Sequence, residues 1–210
     1  MSQADASPAP TRSFVIVGRR ASAGPGFSLE DLPGTSGRLD LLLRCLRAGL
    51  LHSHGVRRDG RVYLVLEGGW HAPRVLRFDG ATVKWLRPDE RALATIVKKS
   101  LAAEASGPAF VEVRPGIWRA DGGLELVFDE LGDARLVELD TEGADLRASE
   151  LELDHPLAFV IGDHLGLDAP VREALGARGA LRVSVGPVAI HADDVVAVLN
   201  NELDRRYAAR

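Results

Sequence analysis

Cysteine is nearly absent from this chain: Cys45 is the only one in 210 residues, so no internal disulfide braces the fold. It sits within an apolar helical pattern, where a thiol ordinarily serves as buried filler. No stretch approaches the ~18 apolar residues that a membrane crossing requires. The first eleven residues are rich in Ala, Ser and Pro and lack the apolar core of a signal peptide. These absences predict a soluble cytoplasmic protein without a membrane partner, behind a short disordered leader over residues 1–12. Also missing are a Gly-x-Gly-x-x-Gly turn after a strand and a lysine-bearing phosphate loop, which removes support for nucleotide-phosphate chemistry.

What is present is ample apolar material. Hydrophobic residues make up 46% of the chain and charged ones 27%, enough for one large or two small domains with a proper core. The 26 basic residues, nearly all arginine, stand against 30 acidic ones for a net charge of -4. That balance excludes broad, nonspecific coating of nucleic acid and leaves room for a local basic patch that reads phosphate.

Along the chain, residues 14–18 (Phe-Val-Ile-Val-Gly) read as a buried strand. Residues 19–37 hold too many Gly and Pro for regular structure and form a loop long enough to suggest function. Over residues 38–54 the apolar positions Leu39, Leu42, Leu43, Leu46 and Leu50 recur at helical spacing. Asp40, Arg44, Arg47 and His54 then share the opposite face, and Gly55 ends the helix. Residues 61–66 supply the next strand. Residues 75–78, the Asp79-Gly80 turn and residues 82–86 read as a hairpin at the sheet edge. Pro88-Asp89-Glu90 opens a helix toward Ala105, and residues 122–131 suit another. Strands over 135–139, 157–161 and 181–185 alternate with helices over 168–175 and 193–206. Such alternation predicts one α/β domain, over residues 13–210, with a mainly parallel sheet.

Three features invite a functional reading. Gly162-Asp163-His164 follows a strand directly, where open α/β sheets bind ligands; an ordinary turn with a local Asp163 hydrogen bond fits the same pattern. Val183-Ser-Val-Gly-Pro187 ends a neighbouring strand in a tight turn, and the two turns suit either a flat ligand between them or plain helix-sheet connections. Neither a hydrolase triad nor a metal site is supported, because Asp163 and His164 lack a nucleophilic serine or a third ligand. His52 and His54, on alternate residues of a helix, point apart. The third feature is the polar face of Asp40, Arg44 and Arg47, flanked by Arg38, His54 and the Arg57-Arg58 turn. It suits RNA, since guanidinium groups fork onto phosphate and stack on unpaired bases; a solvated face with an Asp40–Arg44 pair is the bland alternative.

A resemblance joins these pieces. Phe14-Val-Ile-Val-Gly18, Phe27-Ser-Leu-Glu-Asp-Leu-Pro-Gly34, Gly37-Arg-Leu-Asp40, Arg44-Cys45, Ser53-His-Gly-Val-Arg-Arg-Asp59, Leu86-Arg-Pro-Asp-Glu-Arg91, Pro115-Gly-Ile117, Val160-Ile-Gly-Asp-His164, Val183-Ser-Val-Gly-Pro187 and Asn201-Glu-Leu-Asp-Arg-Arg206 occur in an order and spacing that span almost the whole chain. Together they resemble the TrmY family of pseudouridine N1-methyltransferases in the SPOUT superfamily. The resemblance implies a SPOUT-type α/β fold with a C-terminal trefoil knot over roughly residues 134–206, S-adenosyl-L-methionine as cofactor, tRNA as substrate and a homodimer. Leu139, Gly162, Val183, Ser184, Val185, Gly186, Pro187, Ile190 and Val195 would then surround the cofactor, and residues 38–59, with Arg44, Arg47, His54, Arg57 and Arg58, would face the RNA. Ala192-Asp193-Asp194-Val195 stands where archaeal relatives usually read Ala-Asp-His-Cys.

The implied reaction needs a proton removed from N1 of the base. Asp40 is the candidate to accept or orient it, and Arg38 to stabilise charge spreading to the ring carbonyls. Methylation of another RNA pseudouridine, or a silent RNA-binding factor on the same fold, are the alternatives.

Overall fold

The computed structural model describes residues 11–209. The leader expected over residues 1–12 lies, for residues 1–10, outside the described residues; Arg12 already belongs to a strand. That strand, β1 (Arg12–Ser22), pairs in parallel with β4 (Gly60–Gly68) on one side and β9 (Leu157–Gly162) on the other. Its Phe14, Val15, Ile16 and Val17 are wholly buried, as expected of a run apolar on both faces in the middle of a parallel sheet.

Eight strands form the main sheet in the order β10 (Leu181–Ser184), β8 (Arg135–Asp145), β9, β1, β4, β5 (Arg74–Asp79), β7 (Ile117–Asp121), β6 (Val111–Arg114). From β10 through β4 every pairing is parallel, and beyond β4 it is antiparallel. Alternate residues of β1 divide the core. Phe14 and Ile16 face one apolar cluster with α2 (Leu39–Leu50), α3 (Glu90–Leu101) and α6 (Ala192–Ala208); Val15 and Val17 face another with α4 (Leu124–Leu131) and α5 (Ala169–Ala177). The predicted α/β architecture with a mostly parallel sheet is thus observed.

Four local expectations need correction. β1 runs on to Ser22, and a helical turn, α1 (Leu32–Thr35), interrupts what reads as a bare loop. α2 stops at Leu50, because Leu51 turns extended at φ -106° and ψ 135°. The residues after it form a small two-stranded ribbon, β2 (Leu51–His52) with β3 (Gly55–Val56), so His52 and His54 are not helical and His54 shares no helix face with Asp40. No strand forms over residues 82–86; β5 pairs instead with β4 and β7, inside the sheet rather than at its edge. The β6–β7 hairpin lies beyond these expectations: Val111-Glu112-Val113-Arg114 alternates over four residues only, and buried Arg119 breaks the apolar run of β7.

α6 is tied down by polar contacts at long range. The Asn200 amide donates to the carbonyl of Ala48 at 2.9 Å and, more loosely, to that of Gly49, among the last-turn acceptors of α2 that lack helical partners. Its Oδ1 accepts from buried Arg12, 3.1 Å away. Arg12 also reaches Asp59 at 2.9 Å and Asp204 at 2.8 Å. Gly49 lets α2 settle close on its neighbours: a Cβ there would lie 2.7 Å from Val62 and 3.7 Å from Val196. We expect Asn200→Ala to lower unfolding stability by about 2 kcal/mol, the scale of stranding buried polar partners. A urea titration checks it, and an unchanged midpoint would show that Asn200 does not hold the helix in place.

Candidate functional site

The parallel strands all end on one side of the sheet, and there the loops after β8, β9 and β10 enclose a cavity of about 370 Å³, within the usual range for small-molecule sites. Its walls are largely apolar: Leu139 from β8, Ile161 from β9, Val185 and Ile190 from the loop after β10, and Val195 from α6. Of the predicted cofactor residues, Leu139, Gly162, Ser184, Val185, Gly186, Ile190 and Val195 line it. Val183 does not, being buried in the core beneath, and Pro187 lies exposed outside the wall.

One wall was not foreseen. Leu41, Leu42 and Cys45 of α2 line the cavity as well. Cys45, expected to be inert filler, is 1% exposed, and burial pushes its thiol well above the usual range. Positions 41, 42 and 45 continue the core-facing stripe of α2, so nothing in the spacing separates packing from lining. Arg172 of α5 was missed because its partners lie 34 and 32 residues away in sequence. It bonds Glu138 at 2.8 Å and also Asp140, both on β8.

Three carboxylates bind the surrounding segments together. Asp163, almost fully buried, accepts from the backbone N–H of Leu165 at 2.8 Å, the local turn bond expected for it, and from that of Arg19 on β1 at 3.0 Å. Asp140 accepts from the Glu142 N–H at 2.8 Å and from the guanidinium groups of Arg172 and Arg182. Burial opposes its charge, but the Glu142 N–H and the two arginines outweigh it and hold the carboxyl at about 2.

The third is Asp40, 2% exposed in the first turn of α2. Arg38 grips it with Nε at 3.0 Å and Nη2 at 3.1 Å, and Arg44 adds a longer contact of 3.4 Å. Arg38 sits at φ +70°, in the left-handed region, one of two non-glycine residues there among those described. Gly37 before it, at φ +64°, presses against the carbonyl of Arg20, where a Cβ would lie only 1.8 Å from the oxygen. The chain is therefore folded back so that the Arg38 guanidinium meets a carboxylate two residues on. Hydrogen bonding and attraction by Asp40, with a smaller pull from Asp163, hold the Arg38 pKa above its ordinary value. Such outliers persist where the surroundings over-determine them and often mark functional sites.

The remaining predicted RNA residues are spread along α2 and beyond. Arg44 is half-buried, within 3.8 Å of both Glu90 and Asp193, so it links α2 to α3 and α6. Arg47 and His54 are exposed. Arg57 is committed to Asp204 through two bonds of 2.8 and 2.9 Å, and Arg58 donates to the carbonyls of Gly80 and Ala81. These last three lie past the far end of α2, about 18 Å along its axis from Arg38.

Comparison with known proteins gives a consistent result. The model of a family described as "Putative SAM-dependent RNA methyltransferase" matches residues 11–208. A protein of Methanococcoides burtonii named tRNA (pseudouridine(54)-N(1))-methyltransferase is 37% identical, with 95% of this chain and 98% of that protein covered. One of the same name from Halobacterium salinarum is 39% identical, covering 92% and 96%. Among solved structures, Archaeoglobus fulgidus Nep1 bound to S-adenosylhomocysteine has the same fold, with a TM-score of 0.63 at 17% identity and coverage of 94% and 99%.

The Asp140 cluster predicts an acid response. Its carboxyl is held at about 2, below the ~3.9 of a free aspartate. The stability it contributes is therefore complete above about pH 4 and disappears as the pH falls toward 2. Asp140→Asn should flatten the loss of thermal stability between those two values. An acid limb identical to that of the unmodified protein would show that this carboxylate is not held ionised by its arginines.

Proposed function

The chain belongs to the family of SAM-dependent RNA methyltransferases, and from that premise we propose that it methylates N1 of pseudouridine in tRNA, with position 54 as its target. The observation that carries this reading is the pairing of a lipophilic cavity with an arginine locked onto a buried carboxylate, on adjoining elements at one edge of the sheet. The names of the relatives supply the target.

The cavity suits S-adenosylmethionine on its own chemistry. Leu139, Ile161, Val185, Ile190 and Val195 offer apolar walls to a flat base, and a Cβ at Gly186 would meet only open space. Asp163 and Asp193, also in the wall, complement a positive sulfonium and ammonium. When bound there, the cofactor supplies an electrophilic methyl group.

The work left to the chain is orientation and charge. N1 of pseudouridine bears a proton that must pass to solvent water before its lone pair can take the methyl group, and negative charge spreads to the ring carbonyls as it does. Arg38 stabilises that charge with a fork of donors fixed in advance, so no reorganisation is needed as it develops. Asp40, its oxygens engaged by Arg38 and Arg44, is a positioning residue that keeps the fork in place.

Several finer features belong to this reading. A homodimer is supported by the exposed Leu165, Val188 and Ile190 on the loops around the cavity, an apolar rim that a second copy would cover. A single domain over residues 13–210 is supported by the path of α6, which returns from β10 to pack on α2; a knot near residues 134–206 rests on the family resemblance alone. A cytoplasmic setting fits a tRNA substrate; among the described residues no helix is long and apolar enough to cross a membrane.

Incubation with labelled methyl donor and a T-arm RNA containing pseudouridine, beside a uridine control, tests the activity. Transfer to both RNAs alike would end this reading. Asp40→Asn should reduce kcat on the order of 10²-fold, the scale of disordering one preorganised donor, with little change in RNA affinity. Arg38→Lys, which keeps the charge without the fork, should fall comparably. Turnover untouched in both variants would remove the pair from the chemistry.

A further inference from the structure

Trp70 is fully exposed in the turn that follows β4. An indole in water is costly to keep, since such side chains bury roughly 150–250 Å² when they can. The turn is firmly built. The Ala23 N–H donates to the Gly68 carbonyl at 2.8 Å, and the Ala72 N–H to that of Gly69 at 3.2 Å. Gly24 packs on His71, whose Cδ2 would lie 2.7 Å from a Cβ there. The position of Trp70 is therefore fixed by its neighbours rather than left to a loose tail.

The same edge carries the site's arginine. The Arg20 carbonyl is wedged between two glycines: a Cβ on Gly37 would lie 1.8 Å from it and one on Gly68 2.1 Å. Arg38 and the Trp70 turn are thus joined through one peptide of β1. β4 lies two strand spacings from β9, whose end opens into the cavity, a distance of about 10 Å. Arg20 is exposed and, among the described residues, has no carboxylate within 4 Å, while Arg38 keeps 42% of its side chain in solvent. Of the acids in the adjoining segments, Asp40 lies beneath Arg38, Asp168 is 3.8 Å from Arg19 and Glu67 is half-buried, while Glu30 and Asp31 are exposed ahead of α1.

We propose that Trp70 is a stacking platform for an unpaired base next to the nucleotide being modified, with Arg20 engaging the intervening phosphate. This rests on the RNA methyltransferase reading and adds a determinant of substrate shape to it. The occupant follows from the chemistry. A flat aromatic face beside exposed guanidinium groups suits a splayed-out base of single-stranded RNA, whereas bases stacked in a duplex offer no free face. A second copy of the chain is the poorer match, because a stable interface needs about 800 Å² per partner. The other exposed large apolar side chains of the cavity rim, Leu165, Val188 and Ile190, belong to different loops.

Affinity for a T-arm hairpin RNA, read by tryptophan fluorescence and by filter binding, tests the idea. The chain has three tryptophans, Trp70, Trp85 and Trp118, so Trp85→Phe serves as the control for the signal. Trp70→Ala should weaken binding about 10-fold or more, the scale of losing one base–aromatic stack. Trp70→Phe should recover most of that loss, and the fluorescence quench should vanish in both. Affinity for S-adenosylmethionine and kcat at saturating RNA should stay as in the unmodified protein, with the defect confined to KM for RNA. Trp70→Ala binding RNA as tightly as the unmodified protein, while that protein methylates it, overturns the stacking role alone. A shift in sedimentation of Trp70→Ala toward monomer overturns it in favour of a subunit contact. Unmodified protein that binds no RNA sinks both readings.

Discussion

The site depends on the parallel pairing of β1 with strands on both of its sides. A strand apolar on both faces must be covered twice, and parallel neighbours must be reached by crossovers through helices. Helices on both sides of the sheet meet the first demand, with α2, α3 and α6 against Phe14 and Ile16, and α4 and α5 against Val15 and Val17. The second gathers the C-terminal ends of β10, β8, β9, β1 and β4 along one edge. The loops that follow these strands therefore emerge there, where a sheet of this kind opens a crevice.

Such an edge would be loose if its loops were held only by their own strands. Carboxylates provide the connections. Asp163 ties the loop after β9 to the backbone of Arg19, Asp140 ties β8 to α5 and β10 through Arg172 and Arg182, and Arg44 spans Asp40 and Asp193. All but the Arg44–Asp40 pair within α2 join segments remote in sequence, and each carboxylate sits where burial would otherwise penalise its charge. The result is a cavity with walls fixed before anything enters, which is what electrostatic preorganisation requires.

How much of this could be read from the sequence follows from the range of each interaction. The buried strands and most of the helices announce themselves through local periodicity, and Gly162-Asp163-His164 and Val185-Gly186 stand at strand ends where a cavity was to be expected. Interactions across the chain leave no local trace. Arg57 looks like a free cation in a charged turn, yet its partner Asp204 is 147 residues away. Arg119 reads as a strand breaker until its bonds to the carbonyls of Leu101 and Ala103 are seen. Asp40 reads as part of a solvated helix face, because helical spacing places it opposite the leucines; only the backward fold of Arg38 over it accounts for its burial.

The departure at residues 192–195 can be weighed on the same terms. Asp194, where the resemblance expects an imidazole, is exposed and lies outside the cavity lining, whereas Asp193 and Val195 on either side belong to it. The helical turn that brings residues 192, 193 and 195 to the wall carries 194 away from it, so this exchange leaves the lining unchanged. Val195, where the resemblance expects a thiol, is an aliphatic group of similar bulk on a wall that is already apolar, and Cys45 lines the same space from α2. An adenine ring requires a close apolar surface rather than a particular atom. The divergent residues therefore alter the surface of α6 more than the space it encloses, and the variation that bears on substrate choice is to be sought on the rim.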